Sequence, residues 1–466
     1  MTIALTNTNV VDVKTGTVAR DVAVLIDGDR IAAITTEVPA GARSIDTGGA
    51  FVVPGYNDMH AHALELADPS GAHELMLAFG ITGYRQMSGS AALLAKRQAG
   101  GFAESASAPS LLHLPGELLT PLNASTAADV AATIRAQHEQ GADFIKMGLV
   151  SGEIYPAAQA EANRVGIPLG GHLPSTTMAE DASNAGIRFI EHLGPGLGLL
   201  ASCATNEDAI RAELAAVKAP KLPSAKLPGM AKLFSIILAR IVVNPQLMTS
   251  AETVGIMRKA LDSYSDERAE ALAALLVANE TWQCPTLIRE KTNERGDDAG
   301  WADDENLRFM SPKTQKLWHK TAKRASALPE TTRSVFHDLY DAQKRLALVL
   351  ANASVPLLAG SDVTGASWEI PGASLHQEFD ELAAAGLSPL QVLQATTSAP
   401  ARFVGRTDFG AVEVDARADL VLLGADPTQN VSALHAIVGV VRNGVHRSEA
   451  ELTAIKERIA LTHAAG

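Results

Sequence analysis

Eight short apolar segments between residues 52 and 362 constrain the fold most strongly. Stretches rich in Ala, Leu and Glu separate them, and this alternation is typical of a parallel sheet covered by helices. Eight such strands predict a (β/α)8 TIM barrel, whose active site lies at the carboxyl ends of the strands. The segments are VVPGYNDMH, GITGYRQM, SLLHLPG, ADFIKMGL, IPLGGHLP, IRFIEHLG, TWQCPTLI and VPLLAGSD.

The two ends of the chain have a different sequence pattern, in which apolar and polar residues alternate between turns that contain Gly and Asp. Examples are TIALTNTNVVDV and VAVLIDGDRIAAI at one end and AIVGVVRNGVHR at the other. We expect residues 1–53 and 408–466 to pair into a small composite β-sandwich domain beside a barrel of residues 54–407. Long connections around 200–280 and 289–350 are expected to form lids or interfaces.

Composition excludes several classes of partner. A formal net charge of −13 argues against nucleic acid and anionic membranes, since both demand clustered Lys and Arg. The chain has only Cys203 and Cys284, which rules out a disulfide framework and favours a reducing compartment. The first residues do not form a signal peptide, so we expect a soluble cytoplasmic protein.

The most apolar later stretch is MAKLFSIILARIVV, which lies within KLPGMAKLFSIILARIVV at residues 226–243. It is too short and too charged to span a bilayer. Its apolar residues form one stripe, which suits core packing, a lid or an oligomer contact. The sequence leaves these three interpretations open.

Four histidines, one lysine and one aspartate lie at the ends of five of the eight apolar segments. Side chains two residues apart on a strand point the same way, so the histidines of HAH project together. All six side chains should converge on one mouth of the barrel, where imidazole and carboxylate suit a divalent ion such as zinc. The six residues are His60, His62, Lys146, His172, His192 and Asp362.

The chemistry of a metal site accounts for each residue type. A bound divalent ion lowers the pKa of its water to roughly 7 and makes hydroxide available. Near that charge the amine of Lys146 should lose its proton and combine with carbon dioxide to give a bridging carbamate; pairing with a carboxylate is the alternative. Asp362 would bind metal and pass the proton of the hydroxide to the leaving amine, with a helix N-cap as its alternative role.

The motifs HAH, DFIKM, GHLP, EHLG and AGSD resemble the amidohydrolase superfamily, specifically binuclear members of its imidazolonepropionase-like and prolidase-like branch. The tail SPLQVLQATTSAPARFVG…GAVEVDARADLVLLGADP is similar to the segment in which those chains leave the barrel for a β-sandwich. The resemblance implies two divalent metal ions, with zinc expected, and N6-carboxylysine at the bridge. It assigns His60, His62 and Asp362 to one ion, His172 and His192 to the second, and Lys146 to the bridge.

The same resemblance implies an activity. Mononuclear deaminases carry a Glu shortly after the fifth-strand histidine, and HLPSTT has none, which speaks against deamination. We expect hydrolysis of an amide C–N bond in a dipeptide, an N-acyl amino acid or a similar small molecule. A carbamate, cyclic amide, lactone or ester hydrolase would use the same site, and a non-catalytic scaffold is a remote alternative. Relatives lead us to expect a homo-oligomer.

Five further residues are candidates for substrate binding. Arg85 would either clamp a substrate carboxylate or form a buried structural ion pair. His113 would either face the pocket or pack in the core, and two tryptophans would supply apolar walls. The five are Tyr84, Arg85, His113, Trp282 and Trp368.

Overall fold

A computed structural model describes residues 2–217, 242–363 and 365–464. In these ranges, strands form one eight-stranded sheet and two smaller parallel sheets, with helices between them. The architecture is therefore α/β. Residues 226–241 of the apolar stripe lie outside the described residues, so its interpretation as core, lid or contact stays open.

Strands near both ends of the chain contribute to the larger sheet, and the central strands form the parallel sheets. The described strands are β1 Ile3–Val11, β2 Val18–Asp27, β3 Arg30–Thr35, β4 Arg43–Asp46, β5 Phe51–Pro54, β6 Tyr56–Ala61, β7 Ile81–Gln86, β8 Ser110–His113, β9 Ile145–Met147, β10 Leu169–Gly171, β11 Phe189–Glu191, β12 Trp282–Cys284, β13 Leu420–Leu423, β14 Ile437–Arg442 and β15 Val445–Ser448.

The larger sheet joins the two ends of the chain. Its order is β15-β14-β13-β5-β1-β2-β3, with β4 also paired to β1. The junction is the antiparallel pair of β5 and β13, in which Val52 lies opposite Leu422. Leu5, Val24, Val52, Leu420 and Val441 pack into its buried apolar core. The division of the chain at residues 53 and 408, and a sandwich arrangement, stay predictions.

The first apolar segment, VVPGYNDMH, is two strands and not one. β5 belongs to the larger sheet and β6 to a parallel sheet, and Gly55 lies between them. A Cβ at Gly55 would lie 2.0 Å from Oγ1 of Thr82, so only glycine fits there. The amide of Gly55 donates to the carbonyl of Asp419, which joins the two sheets at this point.

The parallel strands form two sheets, β6-β7-β8 and β12-β11-β10-β9. Residues 355–363, which contain the eighth predicted strand, make isolated parallel bridges to both sheets. A further bridge joins the chain after β8 to β9. Closure of these pieces into one complete barrel stays a prediction. The bridged pairs are Gln283 with Leu357, Ala61 with Val363, and Leu119 with Met147.

Helices cover the parallel sheets, and within the described ranges no helix combines the length and apolar character needed to cross a membrane. The α-helices span Pro69–Ala78, Ala91–Gln98, Ala127–Glu139, Tyr155–Val165, Ala179–Asn184, Gly198–Ser202, Glu207–Ala216, Ala251–Asp262, Asp266–Ala278, Leu287–Glu294, Pro312–Ser326, Glu330–Asn352, Ala373–Ala385, Pro389–Thr396, Ser398–Phe403 and Glu449–Ala464. The 3-10 helices span Ala63–Glu65, Pro245–Met248, Ala299–Asp303, Glu305–Phe309 and Val431–His435.

Local sequence explains where several helices begin. The side chain of Ser311 accepts a hydrogen bond from the amide of Thr314, and Pro312 occupies the first turn. Ser388 and Gln391 form a reciprocal capping box before Pro389–Thr396. Such caps satisfy backbone amides that have no partner inside the helix.

A buried arginine ties the larger sheet to the loop before β8. Arg442 is fully buried and contacts both carboxylate oxygens of Asp419 at 2.9 Å. It also pairs with Glu104 and donates to the carbonyl of Ala108 at 2.8 Å. Burial alone would raise the pKa of Glu104, but hydrogen bonds from Arg417 and Arg442 lower it to about 2.

Arg442→Met should lower the free energy of unfolding by about 3 kcal/mol, because it leaves the carboxylate of Asp419 buried without its main partner. Denaturant unfolding of both proteins measures this difference. Lys14→Met is the control, since Lys14 and Glu413 form an exposed ion pair worth less than about 1 kcal/mol. Equal stability of the two variants would contradict a structural role for Arg442.

Candidate metal centre

The carboxylate of Asp362 lies among three histidine side chains. Its Oδ1 atom is 3.0 Å from Nε2 of His60 and 3.2 Å from Nε2 of His62. Its Oδ2 atom is 3.9 Å from Nε2 of His192. Three imidazoles from two different strand ends therefore direct the same ring nitrogen toward one carboxylate.

Backbone hydrogen bonds between neighbouring strand ends hold these residues. The amide of Asp362 donates to the carbonyl of His60 at 2.7 Å, and the amide of His192 donates to the carbonyl of Cys284 at 2.9 Å. Asp362 and His192 have φ angles of +56° and +59°, a left-handed conformation that is rare outside glycine. Such strain costs about 1–3 kcal/mol per residue and persists where surrounding contacts impose it, often at functional sites.

Asp58, two residues before the first histidine, fixes the strand end that carries it. Its carboxylate accepts hydrogen bonds from the amide of Ser361 at 3.0 Å and from the amide of His60 at 3.2 Å. The hydroxyl of Ser361 donates to the other oxygen at 2.5 Å. Burial raises the pKa of Asp58 to about 6. This side chain joins the first strand to residues 355–363.

Each of the three histidines uses its Nδ1 atom for a hydrogen bond directed away from Asp362. In metal sites such bonds fix the tautomer and the ring orientation of the ligand, so that the other nitrogen faces the ion. The pairs are His60 with Glu191 at 2.5 Å, His62 with Ser88 at 2.7 Å, and His192 with Thr286 at 2.6 Å.

Lys146 and His172 complete the predicted set. The Nζ atom of Lys146 is buried and has no hydrogen-bond partner among the described residues. Burial lowers the pKa of Lys146 to about 8. A Cβ at Gly171 would lie 2.8 Å from Cδ of Lys146, so glycine makes room for the lysine stem. The ring of His172 is 5.1 Å from that of His192, between centroids.

This donor set fits divalent metal ions. In the described ranges, ligand atoms of His60, His192 and Asp362 all lie within 4.8 Å of one another, close enough to share one ion. Burial holds the pKa of His172 and His192 well below the usual value, which keeps both imidazoles neutral, the form that binds metal. The buried amine of Lys146, which has no hydrogen-bond partner among the described residues, lies beside these imidazoles.

Arg289 belongs to the site, although no motif in the sequence indicates it. Its Nε atom is 3.2 Å from Oδ2 of Asp362, and its Nη1 atom is 3.6 Å from Oε1 of Glu369. Arg289 lies in the first turn of the helix Leu287–Glu294. That helix begins directly after Thr286, whose φ is +46°. The only available signal was a charged residue just beyond a predicted strand end.

Arg85 forms a buried ion pair, the second of its two predicted roles. Its Nη2 atom is 2.5 Å from Oε1 of Glu191, and both side chains are fully buried. Burial alone would raise the pKa of Glu191, but the charge of Arg85 holds it well below the usual value. Glu191 was also missed, although it stands beside His192 in the sequence.

Two other candidates for substrate binding pack against neighbouring aromatic rings. The ring of Tyr84 is buried, with its centroid 5.1 Å from that of His73 in Pro69–Ala78. The ring of His113 lies 6.2 Å from that of Phe144, and burial lowers the pKa of His113 to about 4. Substrate contact by either residue stays a prediction.

The two candidate tryptophans are both buried. Trp282 begins β12, whose other end is Cys284, and its ring lies 5.2 Å from that of Phe403. Trp368 has a φ of +68° and stacks on Trp301 with 6.5 Å between ring centroids. Trp282 thus lies at the opposite end of its strand from the histidines. A role in an apolar wall stays a prediction for Trp368.

Comparisons with known proteins concern the family and the fold. Residues 285–447 match the amidohydrolase family. The fold is similar to that of a bottromycin amidohydrolase, with a TM-score of 0.71, 23% identity, and coverage of 99% of this chain and 90% of that one. It is also similar to an Xaa-Pro dipeptidase with bound methionine in its active site, with a TM-score of 0.59, 16% identity and coverage of 96% and 100%.

A third solved structure, of a molinate hydrolase, has a TM-score of 0.60, 16% identity and coverage of 96% of this chain and 95% of that one. No curated protein matches the chain by sequence. The family match includes Arg289 and Asp362, and the shared fold extends over nearly the whole chain. Residues 285–447 are therefore similar to the amidohydrolase family, and the described chain has the fold of these hydrolases.

Proposed function

We propose that this protein is an enzyme of the amidohydrolase superfamily, a metal-dependent hydrolase that cleaves the C–N bond of a small amide, such as a dipeptide or an N-acyl amino acid. The observation that carries the proposal is the convergence of three histidine Nε2 atoms on the carboxylate of Asp362, with the amine of Lys146 buried beside them. Among the similar structures, the names amidohydrolase and Xaa-Pro dipeptidase favour an amide over an ester.

The fold is included in the proposal. We take residues 54–407 as a closed (β/α)8 barrel in which residues 355–363 are the eighth strand. Residues 1–53 and 408–466 would form the composite β-sandwich. The bridges from residues 355–363 to both parallel sheets support this assignment.

The candidate ligands divide between two divalent ions, with zinc as the expected metal and N6-carboxylysine as the expected bridge. When bound, such ions supply an acidified water and polarise the carbonyl that is to be attacked. One ion would be held by His60, His62 and Asp362, the second by His172 and His192, and Lys146 would join them.

Asp362 is the residue to which we assign proton transfer. Its Oδ1 atom faces His60 and His62, whereas its Oδ2 atom faces Arg289. Burial alone would raise the pKa of Asp362, but its contacts with His60, His62 and Arg289 hold it well below the usual value, so the carboxylate is ionised at neutral pH. An ionised carboxylate at this position is able to accept a proton from the attacking water and deliver it to the leaving amine.

The environment of Lys146 favours formation of a carbamate on its amine. A buried amine favours its neutral form because the charged form loses hydration. The neutral amine is the nucleophile that adds to carbon dioxide, and the described residues offer its Nζ atom no hydrogen-bond partner that would compete. The resulting anion would bring negative charge to a position where an ammonium would repel metal.

Asp362→Asn should keep the fold and lower kcat by about two or more orders of magnitude, because the amide cannot accept the proton. Wild type and variant are assayed on dipeptides, N-acyl amino acids, aryl amides, carbamates, lactones and esters. Asp380→Asn, at an exposed carboxylate, is the matched control.

Turnover of one amide class that is lost only in Asp362→Asn is the expected result. Turnover confined to lactones, esters or carbamates would replace the amide assignment and retain the site. Near-wild-type rates in Asp362→Asn would remove the proton-transfer role. If wild type purified in bicarbonate buffer holds no metal and is inactive on the whole panel, the result would favour a non-catalytic scaffold.

Lys146→Ala should bind metal weakly and lose activity, and short carboxylic acids added to the buffer should restore part of both by replacing the bridging anion. Metal content after gel filtration and the rate on the best substrate report the outcome. Lys259→Ala removes an exposed lysine and serves as control. Unchanged metal content in Lys146→Ala would show that Lys146 is structural.

Metal loading should depend on pH in a defined direction. The pKa of Lys146 is lowered to about 8, so its amine is mostly protonated below that pH and mostly neutral above it. Loading of metal-free protein with zinc and bicarbonate should therefore become faster from about pH 7 to about pH 9. Retained zinc is measured over time, with bicarbonate-free buffer as control. A rate that is independent of bicarbonate would contradict carboxylation.

A further inference from the structure

A chain of buried contacts runs from Arg85 through Glu191 to the candidate ligand His60. Glu191 uses both carboxylate oxygens: Oε2 is 2.5 Å from Nδ1 of His60, and Oε1 is 2.5 Å from Nη2 of Arg85. Exposure of the three side chains is 1% or less. An ionised carboxylate only accepts hydrogen bonds, so the proton between Glu191 and His60 belongs to Nδ1 of His60.

Arg85 is held firmly enough to fix the carboxylate. Its Nε atom donates to the carbonyl of Met59 at 2.6 Å. Its guanidinium carbon lies 4.7 Å from the ring centroid of Phe189 and 4.9 Å from that of Phe403. Cation–π contacts of this kind strengthen when water is absent. These contacts fix the orientation of the guanidinium, and the guanidinium in turn fixes the orientation of the Glu191 carboxylate.

Stability alone does not explain a charged pair at this depth. Replacing a buried ion pair by apolar residues of similar volume is often neutral or stabilising, because desolvation of both charges offsets their attraction. Arg85 lies among the rings of Phe144, Phe189 and Phe403, where another apolar side chain would also pack. The contact between Glu191 and His60 accounts for the buried pair of Arg85 and Glu191 better than stability does.

A direct metal-binding role for Glu191 is the competing interpretation. Ligand atoms of His60, Glu191 and Cys284 lie within 4.8 Å of one another in the described ranges. However, both oxygens of Glu191 are already engaged, one of them by a cation. The Nε2 atom of His60 faces Asp362, so His60 serves the site at Asp362 and presents only Nδ1 to Glu191.

We propose that Glu191 and Arg85 are positioning residues for the metal site: Glu191 holds His60 with its proton on Nδ1 and its Nε2 lone pair toward the ion, and Arg85 holds Glu191. This inference rests on the proposed function, since it takes His60 as a ligand. Carboxylate partners of this type make an imidazole ligand more basic and fix its direction, and their loss weakens metal binding by about 10- to 100-fold.

The test compares zinc affinity, by competition with a chelator in bicarbonate buffer, for wild type, Glu191→Gln and the double variant Arg85→Met/Glu191→Gln. The double variant removes both charges and so avoids a buried unpaired arginine. We expect the zinc dissociation constant to rise about 10- to 100-fold in both variants. The controls break a different buried ion pair, in the larger sheet, and should bind zinc as wild type does. They are Asp419→Asn and Arg442→Met/Asp419→Asn.

Zinc affinity within threefold of wild type in the folded Glu191 variants would overturn the proposal and leave the pair structural. Nitrogen-15 spectra of histidine-labelled, zinc-loaded wild type give an independent result that needs no variant. A proton on Nδ1 of His60 with zinc on Nε2 is expected, and a proton on Nε2 in the zinc-loaded protein would also overturn the proposal. Wild type that binds no zinc would instead count against the proposed function.

Discussion

The buried carboxylate of Asp362 is the group around which the site is organised. A carboxylate removed from water is unfavourable unless donors or cations surround it. Here imidazoles approach one oxygen and Arg289 approaches the other, while a left-handed backbone fixes the residue between them. These contacts hold the candidate ligands side by side around one carboxylate.

Two arginines support this centre from different sides. Arg85 acts through Glu191 on His60, and Arg289 contacts Asp362 directly with Glu369 nearby. Arg85 offsets the charge of Glu191, Arg289 offsets that of Asp362, and both guanidinium groups are nearly inaccessible to water. Fixed charge therefore surrounds the candidate ligands, and for His60 it determines which ring nitrogen points inward.

The sequence was most informative where a polar residue interrupts an apolar strand. Lys146 and the histidines could be selected because such residues have little reason to end buried strands by chance, and the structure brings them together. Glu191 and Arg289 could not be selected with the same rule. The direction of Glu191 depends on a partner far along the chain, and Arg289 lies in a helix that follows a left-handed residue, Thr286, which no sequence pattern indicates. The break at Gly55 depends similarly on contact with Thr82.

The pairing of β5 with β13 has a consequence for the order of events during translation. β5 ends at Pro54, and its partner strand begins at Leu420, so the ribosome must make more than three hundred residues before the pair forms. Until then the side of β5 that will face β13 exposes unpaired backbone groups, which are a template for wrong partners. Within each parallel sheet the neighbouring strands follow one another along the chain, although the bridge between Ala61 and Val363 also forms late. The seam between the two ends of the chain is therefore a late step of folding that is exposed to misassembly.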